Sequence, residues 1–225
     1  MESAIKLSIV IPAYNEEARI ALTLKKMVQF VETQPYRCEV LVVDDGSSDN
    51  TSALVKGFSA QYSFISLLQG QLNQGKGFSV KKGMLAAKGA FRLFSDADLS
   101  TPIDEVNKFF PLLENENPEE RFDIVIGSRR MEGADLIQRQ PKHREGAGRI
   151  FSLLVRFLVL PGFLDTQCGF KMFSAQAAET IFPKQTISGF GFDVEILSIA
   201  TELGYKISET PVAWENSPLS KVNLF

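Results

Sequence analysis

The sequence predicts an α/β fold with a mostly parallel central sheet flanked by helices, and three observations carry that prediction. Apolar runs of strand length alternate with helical apolar stripes through residues 1–130, the pattern of repeated strand–helix–strand units. Each run closes on polar or glycine-containing residues, as strands do where they enter turns. With 225 residues, 44% of them apolar and 23% charged, the chain suits one such domain and can build a sizeable core.

Leu7-Ser8-Ile9-Val10-Ile11 is the first strand. Asn15 is placed to cap the helix that follows, with Glu16 and Glu17 in its first turn, where the helix dipole favours carboxylates. Ile20, Leu24, Met27 and Val31 then form one helical apolar stripe. The second strand, Val40-Leu41-Val42-Val43, ends in Asp44-Asp45-Gly46-Ser47. A weaker third, residues 64–68, leads to Asn73-Gln74-Gly75-Lys76-Gly77 and a helix reaching Lys88. The fourth, Phe91-Arg92-Leu93-Phe94-Ser95, ends in Asp96-Ala97-Asp98. Thr101-Pro102 opens another helix, with proline where its missing N–H does no harm. Asp123-Ile124-Val125-Ile126-Gly127 is the fifth strand. Residues 131–148 are polar and basic, hold the single histidine, His143, and read as a loop. Residues 150–160 are almost continuously apolar and suit either a core helix or a surface that meets lipid. Trp214, on the last apolar run, is expected in the core.

Several function classes fall away on composition and motif. A formal charge of −3 argues against a nucleic-acid partner, which calls for a basic surface. Two cysteines, Cys38 and Cys168, are too few for a disulfide framework and read as reduced thiols. Gly75-Lys76-Gly77 lacks the G-x-x-x-x-G-K-[ST] spacing of a P-loop, and no G-x-G-x-x-G follows the first strand. Residues 6–11 are short and followed by Pro12, so they read as a strand and not as a signal sequence. No stretch reaches the roughly 18 apolar residues that span a bilayer. The expected location is cytoplasmic.

Polar groups recur at the carboxyl ends of successive strands, the edge at which open α/β sheets bind ligands. Asn15-Glu16, Asp44-Asp45, Asn73 to Lys76, Asp96 to Asp98 and Arg129-Arg130 all converge there. One acidic strand end is commonly a helix cap; five polar ends in order are harder to explain that way. Asp96 and Asp98 offer hard oxygen ligands to Mg²⁺ or Mn²⁺, ions that fill their remaining positions with water and substrate phosphates. Lys76, between two glycines, sets a positive charge where backbone can approach a phosphate closely.

Taken together, Ser8-Ile9-Val10-Ile11-Pro12-Ala13-Tyr14-Asn15-Glu16, Val43-Asp44-Asp45-Gly46-Ser47-Ser48-Asp49 and Asp96-Ala97-Asp98 resemble, in order and spacing, the inverting family 2 glycosyltransferases of GT-A (Rossmann-like) fold. Asn73-Gln74-Gly75-Lys76-Gly77 and Ser95-Asp96-Ala97-Asp98-Leu99 look like the polyprenyl-phosphate members. Asp165-Thr166-Gln167-Cys168-Gly169-Phe170-Lys171 is similar to the dolichyl-phosphate β-glucosyltransferase group more than to the mannosyl enzymes, and Phe192-Asp193-Val194-Glu195 and Ser220-Lys221-Val222 fit the same group. The resemblance implies one GT-A domain over residues 1–225, with an acceptor and membrane-facing region at 131–170. It implies a nucleotide-sugar donor, with UDP-glucose favoured, a polyprenyl phosphate acceptor, and Mg²⁺ or Mn²⁺ as cofactor. Pro12, Ala13, Tyr14 and Glu16 would surround the nucleotide and Asp44 would meet its base. Lys76 would lie near the donor, Asp96 and Asp98 would hold the metal, and Ser220 and Lys221 would close over the donor. Arg129 would meet the acceptor phosphate, with Asp165, Gln167 and Lys171 on the same side. The mannosyl relatives carry a glutamine where this chain has Ser100, which leaves the metal's third protein ligand open.

The acceptor decides the chemistry. A lipid monophosphate, with a second pKa of about 6, is largely dianionic at neutral pH and needs no strong base. Positioning and stabilisation of the leaving diphosphate then do the work, and Asp98 and Arg129 are the candidate catalytic residues. A sugar hydroxyl, as in polysaccharide synthesis, needs a carboxylate base, for which Asp193 and Glu195 are the candidates. Both also suit a plain helix start, and Asp165 a plain turn. GDP-mannose remains the alternative donor. A polyprenyl tail leaves the bilayer at about 0.8 kcal/mol per exposed CH₂, so the enzyme is expected at the cytoplasmic face of a membrane. The apolar 150–164 segment beside Arg139, Lys142, Arg144 and Arg149 is the candidate contact.

Overall fold

Leu7–Ala13 carries seven buried residues in succession and forms β1, an interior strand of the sheet. A strand covered on both faces needs no apolar–polar alternation, which accounts for so continuous a run. The computed structural model describes residues 4–138, 160 and 162–215. Within them the strands are β1, β2 (Cys38–Asp44), β3 (Ile65–Gln69), β4 (Phe91–Ser95), β5 (Ile124–Ser128), β6 (Leu136–Gln138), β7 (Phe170–Ser174), β8 (Ile207–Pro211) and β9 (Trp214–Glu215). Seven of them form one sheet in the order β3-β2-β1-β4-β7-β5-β8, and β6 pairs with β9 apart from it. The neighbours β3, β2, β1 and β4 are parallel, as are β5 and β8. Only β7 runs against its neighbours, pairing antiparallel with both β4 and β5.

The helices are α1 (Ile20–Thr33), α2 (Thr51–Gln61), α3 (Lys76–Ala86), the short α4 (Phe110–Leu113), α5 (Ala175–Ile181) and α6 (Phe192–Glu202). Alternate strand residues face opposite layers. Ile9, Ile11, Val40, Val42 and Leu93 pack with Ile20, Leu24 and Met27 of α1 and Val55 of α2. Val10, Leu41, Val43 and Phe94 pack with Val80 and Met84 of α3, Ile181 of α5 and Phe192 and Ile196 of α6. The result is a three-layer α/β/α core, and the parallel strands deliver their carboxyl ends to one edge.

Two local expectations change. Asn15 does not cap α1: its backbone is left-handed (φ 54°) and its side-chain oxygen accepts from the Ser48 amide at 2.9 Å. The helix starts four residues later, after a turn in which the Ile20 amide donates to the Glu16 carbonyl. Pro102 stands just before a 3-10 turn, Ile103–Lys108, and not in an α-helix. Trp214 is buried, and both cysteines are buried and free. Among the described residues no helix is long and apolar enough to cross a membrane. Arg139, Lys142, His143, Arg144, Arg149, most of the apolar 150–164 segment, Ser220 and Lys221 lie outside the described residues.

Candidate active site

The register Ala13↔Asp44 brings the carboxyl ends of β1 and β2 level, and β4 ends beside them at Ser95. Their following residues enclose a cleft of about 410 Å³ lined by Pro12, Ala13, Tyr14, Glu16, Arg19, Asp45, Lys76, Asp96, Asp98 and Phe190. Seven residues expected in a donor site from the sequence therefore meet in one cavity: Pro12, Ala13, Tyr14, Glu16, Lys76, Asp96 and Asp98.

Asp96 lines the cleft beside Lys76. Lys76 Nζ lies 2.6 Å from its Oδ1. Burial alone would lower the Lys76 pKa, but attraction to Asp96, Asp193 and Asp98 outweighs it and holds the pKa above the ordinary lysine value. Gly169 makes room for this carboxylate, since a Cβ there would collide with both Asp96 oxygens. The Asp96 amide also donates to the Gly169 carbonyl at 3.1 Å, fixing the two backbones together. Asp98 accepts the Ser100 amide at 3.0 Å and faces Arg19 Nη1 at 3.7 Å.

Asp45 supports the loop that carries Lys76. It accepts the amides of Gln74 (3.0 Å) and Gly75 (2.7 Å), and Gly75 holds φ 104°, a conformation side chains rarely adopt. Asp44 does something else. It is fully buried, accepts from the Ser47 amide and the hydroxyls of Ser47 and Ser52, and lines no part of the cleft. The turn after β2 thus divides the two adjacent carboxylates, one inward to brace the turn and one onto the cleft wall.

A second group forms where β5 ends. Arg129 donates Nε and Nη2 to the two oxygens of Asp165 at 2.6 and 2.8 Å, and its own amide donates to Asp165 at 3.0 Å. Burial would raise the Asp165 pKa, but Arg129 more than reverses this and leaves it at about 2. Glu209 on β8 accepts the amides of Leu164 and Asp165 at 2.8 and 2.7 Å, and the Arg129 guanidinium lies over Trp214 at 5.6 Å. Gln167 follows in the same turn, its amide donating to Asp165.

Three predicted residues are engaged away from open solvent or away from the cleft. Lys171 is fully buried, pairs with Asp193 and donates to the Cys168 carbonyl at 2.6 Å. Asp193 is 3% exposed; burial pushes its pKa up against the pull of Lys171 and Lys76. Glu195 accepts the amides of Thr186 and Ile187, each at 2.8 Å, and the Thr186 hydroxyl at 2.6 Å. It therefore anchors the loop that carries Phe190, which stands 56% exposed at the cleft mouth.

Asp45, read from the sequence only as part of a polar strand end, lines the cleft, and Arg19 and Phe190 are cleft residues that the sequence reading did not single out. Arg19 lies three residues after Glu16, the spacing of an ion pair, and Phe190 sits between two glycines, a loop signature. The Asp96–Asp98 pair fits a divalent ion that takes few carboxylates. Among the described residues no group of three or more His, Cys, Asp or Glu side chains that could hold a metal occurs.

A family model described as Glycosyl transferase family 2 matches residues 8–182. A dolichyl-phosphate beta-glucosyltransferase of Trichomonas vaginalis is 36% identical over 228 residues, covering 99% of this chain and 67% of its own. One from Dictyostelium discoideum is 34% identical over 229 residues, covering 98% and 70%. Among solved structures, glucosyl-3-phosphoglycerate synthase from Mycobacterium tuberculosis, in complex with Mn²⁺, UDP and glucosyl-3-phosphoglycerate, superposes with a TM-score of 0.65 at 20% identity, covering 96% of this chain and 74% of that one. At that identity the likeness is one of fold, the GT-A arrangement of a mostly parallel sheet with flanking helices.

Proposed function

The chain belongs to glycosyl transferase family 2, and from that premise we propose that it moves a glucosyl group from UDP-glucose onto a polyprenyl phosphate, with Mg²⁺ or Mn²⁺ bound at Asp96 and Asp98. In this reading Pro12, Ala13, Tyr14 and Glu16 surround the nucleoside, with Asp45, and not the buried Asp44, at the cleft wall. Lys76 faces the diphosphate. When bound there, such an ion would supply positive charge toward the departing diphosphate. Arg129, held in plane by Asp165 and Trp214, presents the end of β5 to the acceptor phosphate, with the Asp165–Gln167 turn beside it. Lys171, fully buried and paired with Asp193, braces the fold beneath this group and does not reach the acceptor itself.

The observation that carries a phosphate acceptor over a hydroxyl is the engagement of both base candidates. Asp193 is buried against Lys171, and Glu195 is occupied by two amides and a hydroxyl. A phosphate nucleophile, already charged, asks for neither. The dolichyl-phosphate names of the relatives support the same acceptor. A lipid acceptor in turn calls for work at a membrane surface, here its cytoplasmic face.

The test is nucleotide diphosphate release with Mn²⁺ or Mg²⁺, from UDP-glucose or GDP-mannose, with and without a short polyprenyl phosphate. Release from UDP-glucose that needs both metal and lipid phosphate, and is abolished in Asp98→Asn, is expected. Lipid-dependent release from GDP-mannose would replace the donor. Turnover with soluble sugars alone would replace the acceptor.

A further inference from the structure

The Glu16–Arg19 turn places one cation where no role has yet been assigned to it. Arg19 is held by a two-point contact with Glu16, Nε to Oε2 and Nη2 to Oε1, the latter at 2.6 Å. That contact fixes the plane of the guanidinium and leaves Nη1 outside the Glu16 pairing. Nη1 is buried and has no hydrogen-bond partner among the described residues; its nearest anion, Asp98 Oδ2, stands at 3.7 Å. Buried donors are almost always satisfied, so an orphaned one on a cleft wall points to an acceptor that arrives with a ligand.

The lining carries more negative than positive charge, so a diphosphate depends on the cations within its reach. Four carboxylates, Glu16, Asp45, Asp96 and Asp98, face two cations, Arg19 and Lys76. Each member of the Asp96–Asp98 pair has its own cation, Lys76 at Asp96 and Arg19 at Asp98. A diphosphate seated against that pair comes within reach of both. A planar guanidinium, already oriented, suits phosphate oxygens without further ordering of the side chain.

We propose that Arg19 is a phosphate-binding residue of the donor site, giving its Nη1 hydrogens to the diphosphate of the nucleotide while Nε and Nη2 remain on Glu16. The proposal rests on the nucleotide-sugar reading above and adds to it a residue and a contact. The competing explanation is that Arg19 only braces Glu16 and starts α1.

Isothermal titration of the full chain with UDP in the presence of Mg²⁺ separates the two, alongside ³¹P spectra of the bound nucleotide and melting curves. Arg19→Gln is expected to weaken UDP binding about tenfold or more, the scale of a lost charged hydrogen bond. Arg19→Lys should recover part of the affinity, with bound-UDP phosphate resonances displaced from those in the wild type and the melting temperature kept. UDP affinity in Arg19→Gln within about twofold of wild type overturns the proposal. So does a loss of affinity that tracks a fall in melting temperature, with phosphate resonances of UDP on Arg19→Lys matching wild type. A wild-type chain that binds neither UDP nor GDP overturns the donor reading itself, and the proposal with it.

Discussion

Asp165 is fully buried and yet charged, because Arg129 meets it through three hydrogen bonds. Its pKa of about 2 lies below the ordinary carboxylate value, so the pair adds stability above about pH 4 that is lost as pH falls toward 2. The linked amount is on the order of 2 kcal/mol. Acid titration of the unfolding free energy should show that slope in the wild type, and Asp165→Asn should flatten it while costing about 3 kcal/mol at neutral pH. An unchanged acid slope would mean the pair is weaker than its geometry. The sequence placed Arg129 and Asp165 on one side of the site but not in contact, since 36 residues separate them. Lys171 and Asp193 met the same obstacle. Arg19 escaped notice for the opposite reason: its partner, Glu16, is so close in sequence that the pair reads as ordinary helix-start chemistry.

At the scale of elements, the 185–191 loop brings exposed Phe190 to the cleft. It is tied down from two sides, by Glu195 of α6 and by Gln185, whose Nε2 donates to the Gly77 and Ile187 carbonyls at 2.9 Å each. Hydrogen bonds from Thr186 and Ile187 hold the Glu195 pKa below the usual value, against a burial that acts in the other direction and is the largest single influence. Glu195→Gln keeps the shape and weakens the anchor, so the donor KM should rise several-fold with turnover largely retained. A loss of turnover beyond about a hundredfold at unchanged KM would instead make Glu195 a general base and revive the hydroxyl acceptor. The helix faces and buried strands were legible because their apolar periods are local. Which element a polar side chain fastens to is not periodic, and Glu195 looked like decoration on a helix start until the loop above it was in view.

Across the whole molecule, ligand binding and stability are linked. UDP with Mg²⁺ at a hundred times its dissociation constant should add about 2.7 kcal/mol to the folded state. For a chain of this size that is a rise of roughly 5–10 °C in melting temperature, readable by thermal shift. No rise with any nucleotide and metal would argue against the cleft as a donor site. The pairing of β1 with β2 and of β2 with β3 follows from short parallel connections, whereas the return of β4 to the far side of β1 is a longer crossover. The place of β7 between β4 and β5 was not readable, because a reversed strand leaves no mark in its own composition. Its consequence is metric. The cleft carboxylates Asp96 and Asp98 follow the end of β4 and Arg129 follows the end of β5, and β7 is hydrogen-bonded to both strands. Two strand spacings, about 10 Å, therefore gauge the gap between the proposed donor and acceptor groups. Main-chain bonds set that interval, so side-chain changes at either bank can alter which molecules are brought together without altering how far apart they are held.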